Sequence, residues 1–442
     1  MSTLVMKFGG SLAADARSIR RVAQIISAES LAWQHMVVVV SAMAGATDSL
    51  TRAVDLAAAR DGVGYRRQVA AIRAQHTAVI DSLFPAVALC QHLTRQLDGW
   101  LFDVLSVLDA VCARREAQAR DRDAVMAAGE RMMADILIAL VQSEGLRSAL
   151  IRSTEWMLTD DHHQNANPLT EGVEERVERV IKPLLAAGMV TLTEGFVGAT
   201  RNGTLTTLGR GGSDYSATVL AAALRADEVW VWTNVDGIMS ADPSLVPNAR
   251  VIDHLSYDEM RELSYFGVRV LHPRAVEPLL ARLTPLRVRN PFRVDHGGTL
   301  IRAEASAGGL KAVSAIDGLL LETRQAGIDL PDVLSRVARA VGQTANGPVS
   351  VMQSQGRAAL VFVVPTSEGP QAVATAAQKL SAALQSRWSV RVVKVIAALG
   401  ALPNVSVPGI TALASTRTEQ RCILAVAPED VQPAVRYLHR LM

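Results

Sequence analysis

Short apolar runs alternate with segments of helical periodicity over much of the chain. Residues 4–8 form a strand-length run closed by Gly9-Gly10, and residues 17–26 then repeat apolar positions at helical spacing. Residues 36–41 are again continuously apolar and β-branched. Runs without alternation predict strands covered on both faces, and their alternation with helices predicts parallel pairing. Residues 54–150 carry long helical patterns, including 124–141, which predict insertions on the sheet or a helical lobe. Strand-like runs resume at 190–193, 228–233 and 285–288, and a helix is expected over 216–224.

Near residues 304–309 the composition turns to small residues, as in a linker. An internal repeat follows. Leu360-Val361-Phe362-Val363-Val364-Pro365 with a helix from Gln371 is echoed by Ile423-Leu424-Ala425-Val426-Ala427-Pro428 with a helix from Val431. Each copy is preceded by another β-rich run, at 349–352 and 410–414, so two small βαββ-type modules are expected.

A length of 442 residues implies two or three domains. Hydrophobic residues make up 49% and aromatics only 4%, which suits an ordered α/β enzyme and argues against disorder. The formal net charge of +2 leaves no electrostatic footprint for nucleic acid or an anionic membrane. Cys90, Cys112 and Cys422 have no CxxC spacing, so neither a disulfide framework nor a zinc site is indicated. The first residues show no signal-peptide pattern and the apolar runs are too short for a membrane span, so a cytoplasmic location is expected.

Several segments carry chemistry. In Lys7-Phe8-Gly9-Gly10-Ser11, two glycines after a strand let backbone N–H groups approach an anion with a lysine in reach; a plain Gly-Gly turn remains the equal alternative. Thr206-Thr207-Leu208-Gly209-Arg210-Gly211-Gly212-Ser213-Asp214 places a guanidinium, a hydroxyl and a carboxylate in a glycine-dense turn before a helix. That suits phosphate or carboxylate recognition, and a tight turn capped by Asp214 would leave Arg210 unexplained. Trp232-Thr233-Asn234-Val235-Asp236-Gly237 follows a strand at the carboxyl edge, where open α/β sheets bind ligands. Glu130 by itself reads as a solvated helix glutamate, and His162, His163 and His272 as surface or satisfied core histidines; no metal is assigned to them.

Taken in order, Lys7-Phe8-Gly9-Gly10, Ser41-Ala42-Met43, Gly129-Glu130-Arg131, Thr193-Glu194-Gly195-Phe196, the 206–214 turn, Trp232 with the residues to Gly237, and Phe266-Gly267-Val268-Arg269-Val270-Leu271-His272-Pro273 resemble the aspartokinases. Arg287-Val288-Arg289-Asn290 with Gly298-Thr299-Leu300-Ile301 is similar to the end of that family's catalytic domain. The resemblance covers roughly the first three hundred residues.

The resemblance implies the amino-acid kinase fold, an open, mostly parallel sheet sandwiched by helices, with C-terminal α+β ACT-like modules that sense amino acids and dimerise. The domains would be a catalytic domain at 1–304, one ACT-like module at 310–388 and a shortened second at 389–442. The implied reaction moves the γ-phosphoryl group of ATP, with Mg²⁺, to the β-carboxylate of L-aspartate. It gives 4-phospho-L-aspartate and opens aspartate-family amino-acid biosynthesis, towards lysine and threonine. By the same resemblance Lys7 contacts the transferring phosphoryl group and Gly9, Gly10 and Ser11 shape its cradle. Arg210 pairs with the α-carboxylate of aspartate, Glu130 holds its ammonium, and Ser41, Thr47 and Ser213 line the site. Asp214 orients the reacting groups or Mg²⁺-bound phosphates, and Thr233, Asn234, Asp236, Met239, Arg269 and Val270 surround the nucleotide. The implied partners are aspartate, ATP, an amino-acid effector and a second copy of the chain.

The chain departs from the aspartokinase pattern near the nucleotide. Asn234 stands where many relatives have Asp, Met239 where some have Tyr, Ser244 where Arg often follows Asp-Pro, and Arg269 where Lys is usual; Leu12 replaces a hydroxyl residue. Two other readings stay open: a kinase of the same fold acting on another carboxylate or a carbamate, and a catalytically silent amino-acid-binding regulator. Pro403 and Pro408 exclude a normal first helix in the second module, so control by lysine or threonine is expected to be altered or absent.

Overall fold

The computed structural model describes residues 2–268, 270–304, 309–323, 330–341, 350–354, 357–363, 370–384, 388–400, 407–418 and 421–442. They form two compact units, Met1–Gly237 with Leu271–Ala303, and Ile238–Val270 with Glu304–Met442. The linear expectation of a catalytic domain at 1–304 differs from this division in one respect: residues 238–270 cluster with the C-terminal part of the chain.

In chain order the strands of the first unit are β1 (Thr3–Phe8), β2 (His35–Val40), β3 (Ser148–Leu150), β4 (Val190–Glu194), β5 (Val197–Ala199), β6 (Leu205–Thr207) and β7 (Glu228–Trp232). After β8 (His254–Ser256), which belongs to the second unit, come β9 (Leu286–Arg289) and β10 (Thr299–Arg302). Seven of them lie in the order β3-β4-β2-β1-β7-β9-β10, parallel from β3 through β9, with β10 antiparallel to β9. All six residues of β1 are buried, including Lys7, as expected for the centre of a sheet covered on both faces. The order matters for function, because β2 and β7 flank β1 and all three end at the same edge. There Ser41 N–H donates to Phe8 O and Gly9 N–H to Trp232 O.

The helix Ala16–Glu29 begins where Asp15 accepts from Ser18 N–H and buries Ile19, Val22, Ile25 and Ile26. The long helical pattern becomes four helices, Ala46–Ala58, Gly62–Leu83, Val87–Arg114 and Ala119–Ser143. The last of these is buried along most of its length, which brings polar Asp123, Glu130 and Asp135 inside. Among the described residues no helix is long and apolar enough to cross a membrane.

The second unit is built on a six-stranded sheet from β11 (Leu310–Thr323), β12 (Ser350–Ser354), β13 (Arg357–Val363), β14 (Ser389–Gly400), β15 (Ala414–Arg417) and β16 (Arg421–Val426). Their order is β12-β13-β11-β14-β16-β15, antiparallel throughout. The repeat is visible in the pairing, since β11 and β14, one from each half, lie side by side at its centre. Val333 and Val337 of the helix Leu330–Val341, and Val373 and Leu380 of Pro370–Leu384, pack on Leu319, Leu321 and Phe362. Phe266 packs with Ile316 and Val395, and Ala241 and Val246 join Val313, Ile396 and Leu438. Ser240 is held on several sides: its Oγ meets His439 Nε2 at 2.9 Å and accepts from Arg250 N–H, while its carbonyl accepts from Val313 N–H.

The β-rich run expected at 410–414 is corrected. The strand is Ala414–Arg417, because Pro408-Gly409 makes a turn, with Gly409 at φ +76° and Ile410 N–H bonded to Val407 O, before the chain joins the sheet. Residues 401–406, the start of the proline-containing stretch, lie outside the described residues.

Candidate active site

The edge where β1 and β2 end opens into a cavity of about 730 Å³ within the first unit. Lys7, Gly10 and Ser11 reach it from β1, Ser41 and Thr47 from the segment after β2, Glu130 from the buried helix, and Arg210, Ser213 and Asp214 from the glycine-dense turn. Residues far apart in sequence thus converge as the motif order suggests. Asp48, Gln164, Phe196 and Thr207 line the same space.

Backbone shape makes this approach achievable. Gly211 sits at φ +70°, and a Cβ there would lie 2.4 Å from His272 Cβ, so only glycine fits. A Cβ on Gly10 would lie 2.9 Å from Ala42 O, which keeps the two strand ends close. Gly45 and Gly211 cap the helices Ala46–Ala58 and Gly212–Leu224, whose first turns border the cavity with N–H groups and a positive dipole end.

Charged side chains of both signs border this one space. Lys7 Nζ lies 2.6 Å from Asp214 Oδ1. Glu130 is 3% exposed and its Oε2 makes no hydrogen bond. Burial pushes its pKa up to about 8, with nearby Glu194 adding to the rise and backbone N–H groups and Lys7 opposing it. Arg210 is exposed and borders the cavity opposite in sign to Glu130.

Supporting contacts that the sequence did not single out hold this frame. Asp123, fully buried on the same helix as Glu130, accepts from Thr207 Oγ1 at 2.6 Å and from Gln164 N–H at 3.0 Å, and pairs with His163 Nδ1 at 2.6 Å. His163 is therefore a satisfied structural histidine. His272 caps the helix Pro273–Leu280, its ring accepting from Arg274 N–H, and burial together with Arg274 and Arg210 lowers its pKa. Arg274 donates to Asn165 Oδ1, Leu208 O, Ala166 O and Asn167 Oδ1 and lies 4.7 Å over the Tyr215 ring. It ties the 160s loop to the turn carrying Arg210. Behind Glu130, Glu194 is fully buried with its Oε1 4.0 Å from Arg131 Nε, and Arg152 pairs with Asp135 at 2.6 Å. Glu194 was marked in advance only as part of a motif, and Asp123 and Arg274 not at all; their partners arrive through tertiary packing.

The residues expected around a nucleotide are not gathered with the others. Thr233, Asn234 and Asp236 do not line the cavity but follow β7 at the same edge. Asp236 accepts from Asn290 Nδ2 at 2.7 Å and pairs with Arg293, and Thr233 N–H donates to Arg289 O. Gly9 also lies outside the cavity lining, its N–H bonded to Trp232 O. Met239, bridged to Val251, and Val270 belong to the second unit, and Arg269 lies outside the described residues. Among the described residues no group of three or more His, Cys, Asp or Glu is arranged to hold a metal ion.

Residues 2–290 match the model of the amino acid kinase family. The chain belongs to the amino acid kinase family. As a member of that family, it is 29% identical over 98% of its length to the bifunctional aspartokinase/homoserine dehydrogenase 2, chloroplastic, of Arabidopsis thaliana, covering 50% of that protein. It is 30% identical over 69% of its length to the aspartokinase of Rickettsia conorii, covering 62% of it. The chain spans about half the length of the bifunctional plant relatives it matches. Among solved structures, E. coli aspartokinase III in complex with lysine and aspartate (T-state) superposes with a TM-score of 0.80 at 25% identity, over 99% of both chains. The same enzyme in complex with aspartate and ADP (R-state) gives 0.80 at 24% identity over 99% of both chains, a likeness of fold.

Proposed function

We propose that this amino acid kinase is an aspartate kinase, ATP:L-aspartate 4-phosphotransferase (EC 2.7.2.4). The observation that carries the reading is the convergence on one cavity of a buried carboxylate without a hydrogen-bond partner on Oε2, Glu130, with Arg210 and the Lys7–Asp214 pair. An amino acid with a second carboxylate fits such a set: the ammonium against Glu130, the α-carboxylate on Arg210, and the β-carboxylate towards Lys7. The named relatives and the aspartate in both E. coli structures support the same substrate.

Carboxylate attack on phosphorus needs no general base, because the nucleophile is already ionised. The difficulty is bringing two anions together, so the work falls to positioning and neutralisation. Lys7 would neutralise the phosphoryl oxygens, the Gly10-Ser11 turn and the first turn of Gly212–Leu224 would offer N–H groups, and Asp214 would hold Lys7 in place. ATP would lie towards Thr233, Asn234 and Asp236 after β7. Mg²⁺ would add charge neutralisation on the phosphates. Such an ion would be carried largely by the substrate phosphates, with Asp214, beside Lys7, the carboxylate proposed to meet it.

The C-terminal sheet would act as paired ACT-like modules, 310–388 and 389–442, binding an amino-acid effector and joining two copies of the chain. The proposed setting is the cytoplasm, at the entry to lysine and threonine biosynthesis. The test is ATP- and Mg²⁺-dependent formation of an acyl phosphate trapped by hydroxylamine, run across aspartate, glutamate, succinate and carbamate. Trapping with aspartate alone supports the proposal. A preference for another acid, or no product with any, overturns it.

A further inference from the structure

A second cavity, of about 360 Å³, is lined by residues of the first unit that do not line the larger one. It is lined by Arg17, Arg20, Arg21 and Gln24 of the helix Ala16–Glu29 and by Phe292 from the loop after β9. Two of the arginines fasten its walls: Arg21 Nε donates to Pro291 O at 2.8 Å, fixing the loop that carries Phe292, and Arg20 Nη2 donates to Ser82 O at 3.3 Å. Both acceptors are neutral carbonyls. The carboxylate beside them, Asp15, is engaged by Ser18 N–H at 2.8 Å as the helix cap.

This placement works against the fold. Arg17, in the first turn, opposes the positive end of the helix dipole. Arg17 stands at i,i+3 and i,i+4 from Arg20 and Arg21, spacings at which like charges repel. Phe292, 51% exposed at the rim, is likewise left in water. The mutual repulsion of the arginines and the exposure of Phe292 are both relieved by one ligand class, an anion bearing an apolar ring. The volume falls within the range of small-molecule sites. Guanidinium forks match the oxygens of a phosphate in paired hydrogen bonds, and the same dipole that disfavours arginine favours a dianion.

We propose that this cavity binds a phosphate monoester with an aromatic body, Arg17 and Arg20 taking the phosphate and Phe292 the ring. Arg21 is a positioning residue that holds the Phe292 loop. The site is separate from the proposed aspartate site and does not depend on that reading.

The experiment is calorimetric titration of the full chain with phenyl phosphate and with inorganic phosphate. Phenyl phosphate is expected to bind about tenfold more tightly, the scale of one aromatic contact. Phe292→Ala should bring it down to the level of inorganic phosphate. Arg17→Gln, which removes no bond to a backbone carbonyl, should weaken both probes, and Arg17→Gln with Arg20→Gln should abolish both, while circular dichroism shows each variant folded. Lys7→Ala is the control for the larger cavity and should leave the phenyl phosphate affinity unchanged. Binding lost in Lys7→Ala but kept in Arg17→Gln overturns the proposal, as does the absence of phenyl phosphate binding at millimolar concentration.

Discussion

Lys7 and Asp214, one near the end of the central strand and the other in the first turn of the helix Gly212–Leu224, face each other at 2.6 Å, with 11% and 13% of their side chains exposed. The pair sets the lysine's position before any anion arrives. Lys7→Ala is expected to lower kcat by about a hundredfold or more, the scale for one electrostatic contact to a transition state, with a smaller effect on aspartate binding. Steady-state kinetics with hydroxylamine trapping checks this; a near-normal kcat would leave Lys7 a structural residue.

Glu130 gives a pH prediction. Its folded pKa is raised from 4.5 to about 8, so the folded chain holds a proton that the unfolded chain has released, and this contribution to stability declines as pH rises from about 4.5 to about 8. An ammonium ligand requires the carboxylate. Aspartate binding at pH 7 should therefore release about one proton, measured by calorimetry in buffers of different ionisation enthalpy. Glu130→Gln should abolish the release and weaken aspartate.

Substrate selection follows from the two opposite charges lining one cavity. Arg210→Ala and Glu130→Ala are each expected to raise the KM for aspartate far more than that for ATP, and succinate should be a poor substrate. Equal losses for both ligands would contradict the assigned roles.

Gly211→Ala combines a left-handed backbone with a Cβ 2.4 Å from His272 Cβ. Left-handed geometry alone costs a non-glycine residue about 1–2 kcal/mol, and the clash adds to it. Denaturant unfolding should show at least that loss, together with reduced activity as the Arg210 turn is displaced.

Regulation is the remaining prediction. Residues 407–413 form a turn and irregular chain, and the rest of the proline-containing stretch lies outside the described residues. Lysine, threonine and methionine, titrated singly and together at subsaturating aspartate, are expected to inhibit weakly or not at all. Strong inhibition at sub-millimolar concentration would mean that an effector still binds.

The strands of the first unit were legible because a run such as residues 36–40 has no polar face and can only be a strand covered on both sides. The glycine-dense turn was legible because glycine marks where backbone must come close. Glu130 was not, since a helix glutamate gives no local sign of burial, and only the family resemblance pointed to it. Asp123 and Arg274 escaped altogether, and Glu194 was seen only as part of a motif with no role given: their meaning lies in partners such as Thr207, Asn165 and Arg131, which sequence separation hides. The shift from 410–414 to Ala414–Arg417 reflects turn chemistry at Pro408-Gly409 overriding an apolar pattern.

The packing of residues 238–270 with the C-terminal part of the chain bears on how the protein is made. Ser240 finds His439 only 199 residues further along, and Phe266 waits for strands β11 and β14 before it is covered. At ribosomal speeds of about 5–20 residues per second, that interval lasts roughly 10–40 seconds. During it a nascent chain would carry Ala241, Val246 and Phe266 without the cores that later cover them, so this stretch is where a chaperone would be expected to bind during synthesis.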